Sequence, residues 1–133
     1  MLLYSRDSTG RLQVLLGRRA CKPGTEIWSI SGGALDGAET FWQAARREVE
    51  EELGIPQACF ESGSETEFPS VRIVVPLLFY WQTFLVPMPA SAPEIRLSEE
   101  FHECRWFAAE ALPKPLHYGT RRAVRRLGRQ RHD

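Results

Sequence analysis

The segment Gly33 to Ile55, GALDGAETFWQAARREVEEELGI, constrains this chain more than any other feature. Residues three and four apart on a helix share a face, so with Glu48 taken as zero at about 100° per residue, Glu51 falls near −60° and Glu52 near +40°. Three carboxylates therefore share one arc about 100° wide. Ala38, Trp42, Ala45, Val49 and Leu53 occupy the adjacent arc as a continuous apolar stripe, which predicts docking on a sheet. Gln43, Arg46 and Glu50 take the solvent side. The predicted helix runs from Glu39 to Leu53 and is closed by Gly54 and Pro56. Crowded like charges cost stability unless something positive lies against them. Hard divalent cations suit such oxygen ligands, Mg²⁺ or Mn²⁺ first among them.

Solvated acids on a glutamate-rich helix would account for the three glutamates alone. They would not account for what surrounds them. Gly33 opens a loop where backbone must approach a ligand, and Glu39 is placed in the first helical turn, where a carboxylate meets the positive end of the helix dipole. Arg47, beside Glu48 and four residues before Glu51, can orient a carboxylate. Gly33, Glu39, Arg47, Glu48, Val49, Glu51, Glu52, Gly54 and Ile55 together fit the pattern G, five residues, E, seven residues, R-E-apolar-any-E-E-any-G-apolar. Chance would supply this match with odds on the order of 10⁻⁸ to 10⁻⁷.

The pattern resembles the signature of the Nudix hydrolases (MutT-like enzymes), which cleave nucleoside diphosphates linked to another group. The segment from Arg105 to Pro113, with R-W-F followed by E-A-L-P, also looks like that family's closing segment, so the resemblance covers nearly the whole chain. It implies an α+β class: an α/β/α sandwich with a mixed, curved β-sheet between helices, in a single domain over residues 1–133. It further implies that the Gly33 carbonyl, Glu48, Glu51 and Glu52 bind Mg²⁺ or Mn²⁺, that Arg47 orients Glu48 or Glu51, and that Glu39 and Gly54 support the signature. The reaction implied is attack of water on a diphosphate phosphorus of a nucleoside di- or triphosphate or related derivative. Glu100, six residues before Trp106, resembles a later-loop glutamate that serves some members as general base; a signature glutamate is the alternative. Where many members carry proline before the glycine pair, this chain has Ser31.

Substrate contacts are less specified. Arg18 and Arg19, after the second strand, are candidate phosphate clamps, and Trp28, Phe79 and Trp81 are candidate stacking surfaces for a base. His102 and His117 are candidate proton shuttles, set against the commoner role of a packed histidine.

Composition sets limits. At 133 residues with 43% hydrophobic side chains, the chain can bury a core, and it holds no apolar run of membrane length. The start, MLLYSRDSTG, has too short an apolar run for a secretory leader. Cys21, Cys59 and Cys104 are odd in number and widely spaced, which argues against a disulfide framework or zinc site and predicts a reduced, cytoplasmic setting. The formal charge of zero hides an asymmetry: residues 1–113 carry 10 Lys plus Arg against 16 Asp plus Glu, while residues 114–133 carry 7 against 1. A terminal helix, about 116–129, is predicted to hold most of this positive charge. It is read first as a solvated face, while an RNA 5′-end pyrophosphohydrolase is the alternative enzyme and RNA a less favoured partner than a small nucleotide. A catalytically silent nucleotide sensor is the competing class. The chain begins almost directly in its first strand, which leaves a homodimer open.

The remaining chain predicts strands at Leu2 to Tyr4, Leu12 to Leu16, Ile27 to Ser31, Cys59 to Phe68, Val71 to Val86 with an interruption at Pro76, and Glu103 to Phe107. Ala108 to Leu112 is predicted as a short turn of helix.

Overall fold

The structure, a computed structural model, describes residues 1–22, 24–32, 35–60 and 68–130, and for Val75 and Phe79 the backbone only. Six strands form one mixed sheet: β1 (Leu2–Arg6), β2 (Leu12–Arg19), β3 (Trp28–Ser29), β4 (Ser70–Val75), β5 (Phe79–Pro87) and β6 (Phe101–Ala108). The order is β3-β2-β1-β5-β4, with β6 on the other side of β2. Pairings between the six strands are antiparallel except β1 with β5, where Leu2 faces Leu85 and Leu3 faces Val86. Helix α1 (Phe41–Leu53) covers one face and α2 (Tyr118–Arg129) the other.

Strand periodicity sorts the core into two layers. On β1, Leu3 packs with α1 while Leu2 packs with α2; on β5, Phe84 and Val86 go to the first layer and Leu85 to the second. A strand buried on both faces must be apolar at successive positions. That requirement explains V-L-L at positions 14–16 of β2, where Leu15 meets the α1 layer and Val14 and Leu16 the α2 layer. Trp42, Ala45, Val49 and Leu53 of α1 are buried in register with the predicted stripe, each large one contributing roughly 1.5–3 kcal/mol. Ala38 lies before the helix and is exposed.

Several boundaries differ from expectation. Thr40 is the N-cap of α1 in a reciprocal capping box with Gln43, so the helix begins at Phe41 and Glu39 stands outside its first turn. Thr40's hydroxyl satisfies an orphan backbone donor that Glu39 is too early to reach. The expected long strand Val71 to Val86 is a hairpin, because Pro76 to Leu78 form the turn and Val75 pairs with Phe79. Gln57–Phe60 forms a 3₁₀ turn where the strand Cys59 to Phe68 was expected to start; residues 61–67 lie outside the described residues. Ala108 to Leu112 turns without forming a helix. At the C-terminus of α1, Gly54 adopts φ +72°, a left-handed conformation that glycine enters without steric cost.

Candidate active site

Arg47 is the hub of the loop and helix. Its Nε and Nη2 donate to the two carboxylate oxygens of Glu39 at 2.8 and 3.0 Å, a bidentate pair, while Nη1 donates to Glu48 at 2.8 Å and Glu51 at 3.2 Å. Glu39 also accepts from the Asp36 backbone N–H at 2.8 Å. The Arg47 guanidinium, then the Asp36 N–H, hold the Glu39 carboxyl below its ordinary range, and the bonds to Glu39 and then Glu48 raise the arginine. The clamp thus joins the loop before α1 to the acidic face of the helix.

The acids themselves divide. Glu48, Glu52 and Glu100 each bring a carboxylate oxygen within 4.8 Å of the others'. The Glu51 side chain is 57% exposed, drawn to Arg47 on the rim, and the structure does not bring it into that cluster. Glu100 arrives from a segment strapped across the end of α1. Helix ends leave unsatisfied carbonyls, and here the Arg96 and Ser98 N–H groups donate to Leu53 and Glu52 carbonyls at 2.9 and 3.0 Å. The Ser98 hydroxyl then accepts from the Glu100 N–H at 3.2 Å, and the Glu100 carbonyl accepts from the Ala20 N–H at 2.8 Å.

Glu52 is 3% exposed, and its Oε2 has no hydrogen-bond partner among the described residues. Burial first, then the neighbouring Glu48 and Glu100, push this carboxyl from 4.5 up to about 9. A buried carboxylate oxygen without a donor is costly, and a hard cation held among these carboxylates would relieve both the orphaned oxygen and the repulsion. The donor set fits Mg²⁺ or Mn²⁺: all oxygen, two anions from one helix face and a third from the strap. Gly33 lies outside the described residues.

Glu48 also lines a cavity of about 530 Å³ whose walls include Arg19, Phe41, Tyr80, Trp81 and His117. Trp81 stacks on His117 with centroids 5.3 Å apart and 26° between planes, and Phe41 meets Tyr80 edge-on at 4.9 Å. His117 caps α2, its Nδ1 accepting from the Gly119 N–H at 3.1 Å, so the ring proton is assigned to Nε2. Burial and nearby Arg19 lower its pKa, keeping it neutral at pH 7. Gly119 is what admits the stack: a Cβ there would stand 2.5 Å from Trp81.

Other expected contacts fall elsewhere. Arg18 pairs with Glu26 and, at 3.5 Å, with Glu103, away from the cavity wall. Trp28 is 8% exposed and packs edge-on against Phe107 in the α2 layer. The Phe79 side chain lies outside the described ones. His102 pairs with Glu26 at 2.8 Å, outside both cluster and cavity. The Cys104 thiol is pushed up to about 12 by burial, which makes it an inert packing group. Phe41, which was not among the expected site residues, has a signal in the sequence: it lies two turns before Glu48, about 20° away on the same helix face.

The NUDIX domain family matches residues 1–127, and the chain belongs to the Nudix family and is a Nudix hydrolase. A nucleoside triphosphatase, NudI, of Escherichia coli K12 is 27% identical over 132 residues, covering 95% of this chain and 92% of that protein. A MutT Nudix hydrolase from Burkholderia pseudomallei superposes with a TM-score of 0.65 at 26% identity over 93% of this chain and 92% of the other. An Ap4A hydrolase of C. elegans shares the fold, with a TM-score of 0.72 at 20% identity over 98% and 95% of the two chains.

Proposed function

We propose that this hydrolase uses Mg²⁺ or Mn²⁺ to cleave the diphosphate linkage of a nucleoside di- or triphosphate or related nucleotide derivative. The observation that carries the proposal is the Glu48–Glu52–Glu100 cluster, with its unpartnered buried oxygen, sharing Glu48 with an aromatic-walled cavity. Glu48 and Glu52 would hold the cation, with Glu51 and the Gly33 carbonyl as further ligands and Glu100 beside them as the base. A bound divalent cation supplies Lewis-acid polarisation of phosphoryl oxygen and lowers the pKa of coordinated water.

The chain's own residues do the rest. Arg47 fixes Glu48 against rotation, so the carboxylate geometry is set before substrate arrives. The cavity takes the nucleoside, Trp81 and Tyr80 offering faces to a base and Arg19 placing positive charge on the wall. Glu100, the exposed member of the cluster, accepts the proton of the attacking water. The new bond joins water oxygen to one phosphorus. The bridging P–O bond breaks, and the departing phosphate carries the electron pair. The free thiols of Cys21, Cys59 and Cys104 support a reduced, cytoplasmic setting.

Nucleoside triphosphates, dinucleoside polyphosphates, sugar nucleotides and 5′-triphosphorylated RNA, each with Mg²⁺ and Mn²⁺ in ¹⁸O-labelled water, test the reading. Label should enter one phosphate product and never the linked group, and Glu100→Gln should lower kcat more than it weakens metal binding. An unchanged rate in that variant moves the base role to Glu48. Nucleotide binding with no turnover across the panel overturns the proposal.

A further inference from the structure

Helix α2 turns a cationic face to solvent that the hydrolytic site does not use. With Arg121 at zero, Arg125, Tyr118, Arg129, Arg122 and Arg126 fall between about 40° and 140°, while Ala123, Leu127, Thr120 and Val124 fill the opposite side, buried on the sheet. No acidic residue interrupts Tyr118–Arg129. Four arginines elsewhere are paired with carboxylates: Arg11 with Glu110, Arg18 with Glu26, Arg47 with Glu39 and Arg105 with Glu103. The guanidiniums of Arg121, Arg122, Arg125, Arg126 and Arg129 have no ion-pair or hydrogen-bond partner among the described residues. Along the flank of this arc runs a groove of about 520 Å³, in which Lys114 joins Arg121 and Arg125, and Leu112 and Pro113 form an apolar side; Glu110 at its edge is neutralised by Arg11 at 3.1 Å. Tyr118, 67% exposed, stands among the arginines rather than against the core.

We propose that this face binds the backbone of a single-stranded nucleic acid. Five guanidiniums along about 12 Å of helix, without a carboxylate partner among the described residues, match a polyanion. The exposed ring of Tyr118 offers a stacking face that only an unpaired base can reach. A membrane surface fits less well, because the apolar side of α2 is already buried on the sheet and has nothing to insert. The surface is independent of the diphosphate chemistry, and its failure would leave the hydrolase reading untouched.

Anisotropy titrations of the whole protein with a short labelled oligouridylate or oligothymidylate, across a salt series, test the proposal. Affinity should fall with log salt at a slope of about −3, which corresponds to roughly four phosphates on a single strand. Replacing Arg122 and Arg126 by Gln should shallow that slope by about 1.4, with nucleoside triphosphate turnover unchanged. Tyr118→Ala should weaken binding at least about five-fold without altering the slope. Equal affinity in the wild type and in a variant with Arg121, Arg122, Arg125 and Arg126 all replaced by Gln overturns the proposal. So does tighter binding to phosphatidylserine vesicles, or to duplex DNA, than to the single strands.

Discussion

The two helices carry opposite charge and treat it in opposite ways. On α1, three glutamates and an arginine are folded into one another and onto Glu39 of the preceding loop: Arg47 reaches Glu39, Glu48 and Glu51, while Glu52 is buried beside Glu48 and Glu100. On α2 the arginines are exposed to water, without an ion-pair partner among the described residues. Low dielectric and mutual contact make the α1 charges interdependent, whereas exposed charges are screened and nearly additive. Chemistry at a phosphorus calls for the first arrangement, since charge must be placed before the substrate arrives. Recognition of a long polyanion is served by the second.

The largest effect expected from breaking this contrast is at Glu52. Glu52→Gln should cut turnover at least about 100-fold at saturating metal while the metal-free fold becomes no less stable at pH 8. Retention of more than about a tenth of the rate would remove Glu52 from the metal set. Its titration gives a second signature. The folded carboxyl sits at about 9 against an ordinary 4.5, so the fold holds a proton the unfolded chain has lost. The stability contributed by this group is complete below 4.5 and is lost as pH climbs toward about 9. Thermal melts of the metal-free protein should therefore decline through that window, flatten in Glu52→Gln, and recover in the wild type when Mg²⁺ or Mn²⁺ is added.

A smaller loss is expected at the clamp. Arg47→Lys keeps the charge but cannot make the fork with Glu39 while also reaching Glu48, so turnover should fall roughly ten-fold with little change in fold. Combined with Glu39→Gln, the losses should be far from additive, because both variants break one network. Additive effects would show that Glu39 and Arg47 act separately.

The smallest effect belongs to α2. Arg122→Gln should change folding stability by less than about 0.5 kcal/mol and leave nucleotide hydrolysis unaltered. A denaturant midpoint shifted well beyond that would mean the arginine face is tied into the fold after all.

Much of α1 was legible beforehand because helix periodicity and termini are local. The acidic arc, the apolar stripe through Trp42, Val49 and Leu53, and the stop at Gly54 all follow from 3.6 residues per turn and the conformational freedom of glycine. Register on the strands was partly legible for the same reason, since apolar residues at successive positions of β2 can only mean burial on both faces. In the sequence the hairpin at Pro76 is indistinguishable from an interrupted strand, because a proline that breaks a strand and one that turns it look alike until the partner is known.

The sequence by itself determined the helix that carries the acids, the residue types that suit a divalent cation and the segregation of positive charge into the last segment. Only the tertiary structure decided which acids converge. Glu100 lies 48 residues beyond Glu52. It reaches Glu52 because the strap from Arg96 to Ser98 satisfies the carbonyls at the end of α1. Glu51, adjacent to Glu52 in the chain, is turned out by Arg47 to the rim. The cavity is likewise assembled from the end of β2, the segment 29–32, α1, β5 and the start of α2, whose spacing in the chain says nothing of their contact. Local periodicity sets which way a side chain leaves its own element; what it meets depends on how distant backbone groups find their hydrogen-bond partners.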